Sequence, residues 1–411
     1  MDRIVLHSDM NSFYASVELM LHPELRGRPM AICGSEKERH GIVLAKTDEA
    51  KKFGIKTGMP ATDARNACPD IILRAPNYPQ YVKYSKSARE IYGRYTDYIE
   101  PFGMDECWLD LTRSNLKKSG PETADEIRET IHRELGITVS IGVSFNKIFA
   151  KLGSDMKKPD AVTVITRDNF KERVWPLPVG DLLYAGHATV KKLNNIGVKT
   201  IGELANADPY IIKKLLGVNG TKLQSYALGT DESRVMHKDC IIPPKSIGHG
   251  VTCVRDLSDP EEIRRVILEL SQDIGTKLRE ERAFCNNVSV VVRGSDLNFE
   301  GTGTPLMQAT RSPAVIANAA FLLFKDRLMG HGTVRAITIT VFNLTGEDYG
   351  YQPNIFIDQT RVSRRDKAED AIEEIRKRFG KEAVIPASLL LEDAIPHDGR
   401  HLVKMPNPMY A

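Results

Sequence analysis

Two stretches decide the reading of this chain: His7-Ser8-Asp9-Met10-Asn11-Ser12-Phe13-Tyr14, and Gly103-Met104-Asp105-Glu106 about a hundred residues later. The first closes the apolar run Ile4-Val5-Leu6, and the second opens the run Cys107-Trp108-Leu109-Asp110-Leu111. Each acid therefore sits at the end of what reads as a short buried strand, where a lone carboxylate is unfavourable unless it meets a cation or a partner. A single Asp at such a place is most often a turn former or a helix cap. Three carboxylates meeting on one sheet instead make an all-oxygen site, which suits Mg²⁺ better than zinc or copper. Two such ions held together activate a hydroxyl and stabilise a phosphate leaving group. Asp105 and Glu106 are adjacent, so both reach one site only if the chain turns there, and Gly103 permits that turn.

At 411 residues the chain predicts two to four domains. Its 41% hydrophobic and 27% charged residues are those of a globular protein, and a net charge of +3 neither supports nor excludes a nucleic-acid partner. Six scattered cysteines without a Cys-x-x-Cys pair predict reduced core thiols in a cytoplasmic protein and no structural zinc. No stretch reads as a signal peptide or a membrane span.

Short Val/Ile/Leu runs alternate with helical patterns up to about residue 165, with a helix over 122–135 and a strand over 137–143, which predicts an α+β multidomain protein. Short helices with Gly turns follow over 167–240. Pro243-Pro244-Lys245 marks a linker. Beyond it, strands are predicted over 246–254, 287–293 and 334–344, helices over 260–281 and 313–329, and a polar, partly mobile tail from about 350 with one helix over 367–379.

The two opening motifs together resemble the signature blocks of the Y-family DNA polymerases, in particular the bacterial DNA polymerase IV group. The resemblance continues through Glu49-Ala50-Lys51-Lys52-Phe53-Gly54-Ile55-Lys56-Thr57-Gly58-Met59-Pro60, through Val139-Ser140-Ile141-Gly142-Val143-Ser144-Phe145-Asn146-Lys147-Ile148-Phe149-Ala150-Lys151, and through Asp155-Met156-Lys157-Lys158-Pro159. It implies a right-hand polymerase: palm at 1–10 and 78–166, fingers at 11–77, a helical thumb at 167–240, a linker at 241–246, a β-rich little finger at 247–345 and a C-terminal tail at 346–411. It also implies template-dependent, low-fidelity DNA synthesis past damage, acting as a monomer on primer-template DNA and dNTP. A palm-domain nucleotide cyclase and a catalytically idle DNA-binding scaffold are the alternatives. A cyclase has no use for DNA-gripping modules, and a scaffold has no reason to retain three acids.

Residue by residue, the resemblance gives Asp9, Asp105 and Glu106 the two Mg²⁺ ions, with the Met10 carbonyl on the nucleotide-side ion. Tyr14 takes the place of the steric gate that excludes a 2′-hydroxyl. Lys158 takes that of the triphosphate-contacting lysine. The fingers depart from the usual pattern: Ala45, Asp48 and Lys51 stand where a Thr, a Tyr and an Arg meet the β- and γ-phosphates. A lysine lacks the bidentate fork of Arg, and an aspartate facing phosphate is repelled, so Asp48 is expected to turn away or to bind through an ion, with Lys46 supplying part of the lost charge. The roof over the templating base is formed by Ile42, Leu44 and Gly58, with bulk where alanines are common. Residues 181–193 look like a helix-hairpin-helix whose turn, with Gly186 and Lys191, grips a DNA phosphate, a plain helical hairpin being the alternative because Gly217-Val218-Asn219-Gly220 is only a degenerate second copy. Gln352-Pro353-Asn354-Ile355-Phe356 resembles the peptide that docks bacterial polymerases in the sliding clamp, through Gln352, Ile355 and Phe356.

Overall fold

The computed structural model describes residues 3–35, 39, 41–114, 118–328, 332–347, 354, 356–391 and 394–395. The chain divides into two compact units, one built on residues 1–34 and 42–242, the other on 35–41 and 243–402.

The first unit is organised by a five-stranded sheet in the order Ile99–Phe102, Glu106–Asp110, Val5–Met10, Val139–Ser144, Val162–Val164. Val5–Met10 is buried along its whole length because it is central and covered on both faces. Leu6 and Met10 point into one core, where helices Tyr78–Tyr92 and Gly120–Leu135 supply Tyr81, Ile91, Ile127 and Ile131. Helix Gly120–Leu135 starts at a capping box between Ser119 and Glu122. His7 and Asp9 alternate to the opposite face, where helix Lys147–Met156 lies. That helix comes unusually close to the neighbouring strand Val139–Ser144: a Cβ on Gly142 would run into the Ala150 carbonyl, so only glycine lets the helix seat there.

A three-stranded sheet of Val43–Lys46, Met30–Cys33 and Ile72–Arg74 forms with helices Phe13–Leu21, Asp48–Lys52 and Ala61–Ala67 a smaller lobe. Five helices from Phe170–Val174 to Val218–Ala227 form a third group around Phe149, Leu193, Leu204, Ile212 and Leu223. Here the expected helix-hairpin-helix at 181–193 takes a different form. Only a single 3-10 turn, Val179–Asp181, precedes the hairpin, and the helix His187–Asn195 begins after Gly186. Two full helices meet instead at Gly217, whose φ of +65° allows Pro209–Leu216 to turn directly into Val218–Ala227.

The second unit is an antiparallel sheet in the order Phe299–Thr310, Ala283–Gly294, Val334–Gly346, Ser246–Leu257, with helices Pro260–Glu280 and Pro313–Arg327 packed into its core. The strand Phe299–Thr310 is absent from the sequence expectation. The tail helix runs over Gln359–Phe379, a full two turns longer than expected, and it is docked: Glu369 accepts hydrogen bonds from Ser312 (2.6 Å) and Arg279 (3.1 Å), and Lys381 beyond it pairs with Asp273 (2.6 Å). Five cysteines are buried as expected, whereas Cys240 is exposed. No helix among the described residues is long and apolar enough to cross a membrane.

Candidate active site

Antiparallel pairing sets Asp9 directly opposite Glu106, with Ser140 on its other side. Strands Ile99–Phe102 and Glu106–Asp110 are joined by Gly103, Met104 and Asp105, and Gly103 at φ +87° makes the turn. Asp105 thus lies in the loop while Glu106 begins the strand, which frees the two neighbours from pointing to opposite faces. The loop is pinned by the Met10 amide, which donates to the Asp105 carbonyl at 3.0 Å.

The charges at this sheet end are crowded. Asp9 is 6% exposed. Burial first, then Asp9 and Glu106, push the Asp105 carboxyl up to about 7. Burial also pushes Glu106 up, but the hydrogen bond from His7 and the charge of Lys151 outweigh it and bring that carboxyl down to about 2. The Lys151 ammonium stands 2.9 Å from Glu106, 3.3 Å from Asp9 and 3.1 Å from Asp155. Lys158 stands 2.8 Å from Asp9 and 2.9 Å from Asp155. Burial works against both ammonium charges, and the surrounding carboxylates more than compensate. Buried His7 lies between Ser154 Oγ (2.8 Å) and Glu106 (3.2 Å) and meets Trp108 edge-on.

Among the described residues, no three His, Cys, Asp or Glu side chains are gathered closely enough to hold an ion as they stand. The donor set nevertheless fits a hard divalent cation. It is oxygen-only, and the raised Asp105 carboxyl marks a place short of positive charge.

Tyr14 is half-buried, stacked on Tyr81 at 4.3 Å with its hydroxyl 3.7 Å from Met104 Sδ. Burial, with Asp105 nearby, pushes its phenol up to about 12. In the smaller lobe, Lys51 pairs with Asp48 at 2.6 Å, and Lys46 donates to Thr57 at 3.1 Å. Ile42 and Gly58 are exposed and Leu44 half-buried; the Gly58 amide donates to the Val43 carbonyl between them, so the three lie together. Gly186 is exposed at the N-cap of the helix His187–Asn195, and Lys191 is exposed in the middle of it. Gln352 and Ile355 lie outside the described residues, and Phe356 is 83% exposed.

Sequence reasoning gave no role to His7, Lys151, Ser154 or Asp155. The strand alternation that puts His7 beside Asp9, and the i, i+4 spacing of Lys151 and Asp155, were signals available for three of them.

Residues 8–155 match the model of the impB/mucB/samB family, and residues 244–354 that of its C-terminal domain. The chain is 45% identical to DNA polymerase IV of Acetivibrio thermocellus over 96% of its own length and 98% of that protein. It is 35% identical to DNA polymerase IV of Clostridium acetobutylicum, over 95% and 99%, and 34% identical to DNA polymerase IV 1 of Bacillus subtilis, over 95% and 94%. A solved Y-family DNA polymerase chimera shares the fold at a TM-score of 0.73 and 24% identity, covering 84% of this chain and 99% of the other. The chain belongs to the impB/mucB/samB family of Y-family DNA polymerases, in the DNA polymerase IV group.

Proposed function

We propose that this DNA-directed DNA polymerase of the translesion class carries its nucleotidyl transfer on Asp9, Asp105 and Glu106. The observation that bears most weight is the pairing of buried Asp9 with half-buried Glu106 beside an Asp105 whose carboxyl is pushed up to about 7. Such a site is built to take positive charge.

The three carboxylates, with the Met10 carbonyl, would hold two Mg²⁺, and the bound ions would supply activation of the primer hydroxyl and neutralisation of the leaving pyrophosphate. The remaining work belongs to side chains. Tyr14, braced by Tyr81, would be the ring that a ribose 2′-hydroxyl meets in a clash. Lys158, already drawn to Asp9, is positioned to meet the triphosphate as a point charge. Lys51 serves the same end less well, because it must first leave Asp48. Ile42, Leu44 and Gly58 roof the templating base. Gly186 and Lys191 hold a DNA phosphate. The units correspond in this reading to palm, fingers and thumb up to residue 242 and to the little finger beyond it, in a monomeric cytoplasmic enzyme.

Primer extension on an undamaged template is the test: the protein with Mg²⁺ and the four dNTP adds nucleotides, and chelation by EDTA stops it. Extension that persists in EDTA, or none with Mg²⁺, contradicts the assignment.

The finer partner is the bacterial sliding clamp, docked through Gln352, Ile355 and Phe356. A groove-binding anchor needs an exposed apolar end, and Phe356 is one. Ile355→Ala with Phe356→Ala leaves synthesis on short primers unchanged and removes stimulation by the clamp. Stimulation equal to that of the wild type places the contact elsewhere.

A further inference from the structure

Lys151 is the best-connected cation in the acidic site, and none of the roles above uses it. Its ammonium touches three carboxylates, Glu106 at 2.9 Å, Asp155 at 3.1 Å and Asp9 at 3.3 Å, and its side chain is only 12% exposed. It is carried by helix Lys147–Met156, which the Gly142 contact fixes against strand Val139–Ser144, the neighbour of the strand bearing Asp9. Two of its partners are the proposed ligands, and one is not. Asp155 lies one helical turn further along, is partly exposed, and also binds Lys158.

A divalent cation ligated by Asp9 and Glu106 would approach their oxygens to about 2.1–2.5 Å. An ammonium at about 3 Å from the same two groups competes for the same lone pairs, and like charges a few ångströms apart in a buried site repel strongly. The two cannot share the acids, so one must leave. Lys151 has somewhere to go without losing its charge partner, because Asp155 is already in contact.

We propose that Lys151 is a displaceable counter-ion of the metal site: it holds Asp9 and Glu106 together when no divalent cation is bound, competes with the first cation, and retires onto Asp155 when that cation arrives. This rests on the assignment of Asp9, Asp105 and Glu106 as ligands. The lysine therefore sets the site's metal affinity without touching substrate. It is a positioning residue, and it trades some affinity for an acidic site that stays folded and open without metal.

The test uses the full chain without DNA, reading free Mn²⁺ by electron paramagnetic resonance and stability by calorimetry. Lys151→Met binds Mn²⁺ more tightly than the wild type, on the order of five- to tenfold, and melts lower in EDTA. Asp155→Asn moves affinity the other way, roughly threefold weaker, because the displaced lysine has lost its refuge. Lys151→Arg restores affinity close to the wild type. Lys151→Gln accompanies Lys151→Met so that a folding defect in one does not decide the matter. Opposite shifts for the Lys151 and Asp155 variants support the mechanism. Unchanged or weaker binding in both neutral Lys151 variants overturns it, since a merely structural lysine would give a loss. Asp105→Ala separates the two levels. If it abolishes Mn²⁺ binding while Lys151→Met changes nothing, only the counter-ion idea fails. If it leaves Mn²⁺ binding intact, the ligand assignment fails and the counter-ion idea falls with it.

Discussion

The acidic end of the first sheet and the short helix Asp48–Lys52 treat charge in opposite ways. At the sheet, buried Asp9 lies with half-buried Asp105 and Glu106, and cations from a distant helix and loop, Lys151 and Lys158, must be brought to them. On the helix, Lys51 is paired with Asp48 three residues away, and both side chains are about half exposed, at 48% and 63%. An exposed pair of this kind contributes about 0–1 kcal/mol and is surrendered easily to a better partner. A buried cluster cannot relax in water, so it keeps its shortage of positive charge until a ligand relieves it. Unrelieved burial, more than the number of charges, marks where chemistry occurs, and a self-neutralised exposed pair marks a contact of small effect.

That contrast predicts a graded set of responses. The largest among single nucleotide-site variants belongs to Tyr14→Ala, which removes a clash of about 3 kcal/mol and raises the relative kcat/KM for ribonucleotides roughly a hundredfold. Competitive incorporation of rNTP against dNTP measures it, and unchanged discrimination makes Tyr14 a packing residue. The stability counterpart is Asp105→Asn without metal. A carboxyl raised from its ordinary value to about 7 keeps its proton in the native state while the unfolded chain loses it, so wild-type stability falls as pH rises between about 4 and 7. Asn never ionises. The variant is therefore more stable by up to about 4 kcal/mol at pH 8, with the gap shrinking toward pH 5, as calorimetry in EDTA will show. Lys158→Ala raises the dNTP KM about tenfold, near 1.4 kcal/mol. Lys51→Arg, the smallest, lowers it about threefold, because a planar fork pairs two phosphate oxygens once Asp48 has let go. If steady-state kinetics rank Lys51 above Lys158, the comparison between buried and exposed sites is wrong.

The acids were legible because each interrupts an apolar run, and a carboxylate there demands an explanation that few alternatives meet. Gly103 was legible for the same reason, since two adjacent acids cannot face one site without a turn. The i, i+4 spacing of Lys151 and Asp155 announced their mutual pairing but not their place beside Asp9, because that relation spans about 140 residues and depends on a helix seating against Gly142. The strand Phe299–Thr310 was hidden by Gly301, Gly303 and alternating exposure along an edge, where ladder hydrogen bonds to Ala283–Gly294 rather than side chains define it. The helix Gln359–Phe379 lacks an apolar stripe. It docks by ion pairs such as those of Arg279 with Glu369 and Asp370, so hydrophobic periodicity could not find its start or its partner.

In the proposed assignment, Asp9, Asp105 and Glu106 serve the chemistry and not the grip on DNA. Single-turnover incorporation by Asp105→Ala and by the wild type, at saturating Mg²⁺ and dNTP and with primer-template occupancy measured in the same samples, tests it directly. A rate lower by about a thousandfold at unchanged occupancy is the predicted result, because phosphate contacts elsewhere hold the duplex. Retention of more than a few per cent of the rate, or a loss of rate that merely follows a loss of DNA binding, would contradict it.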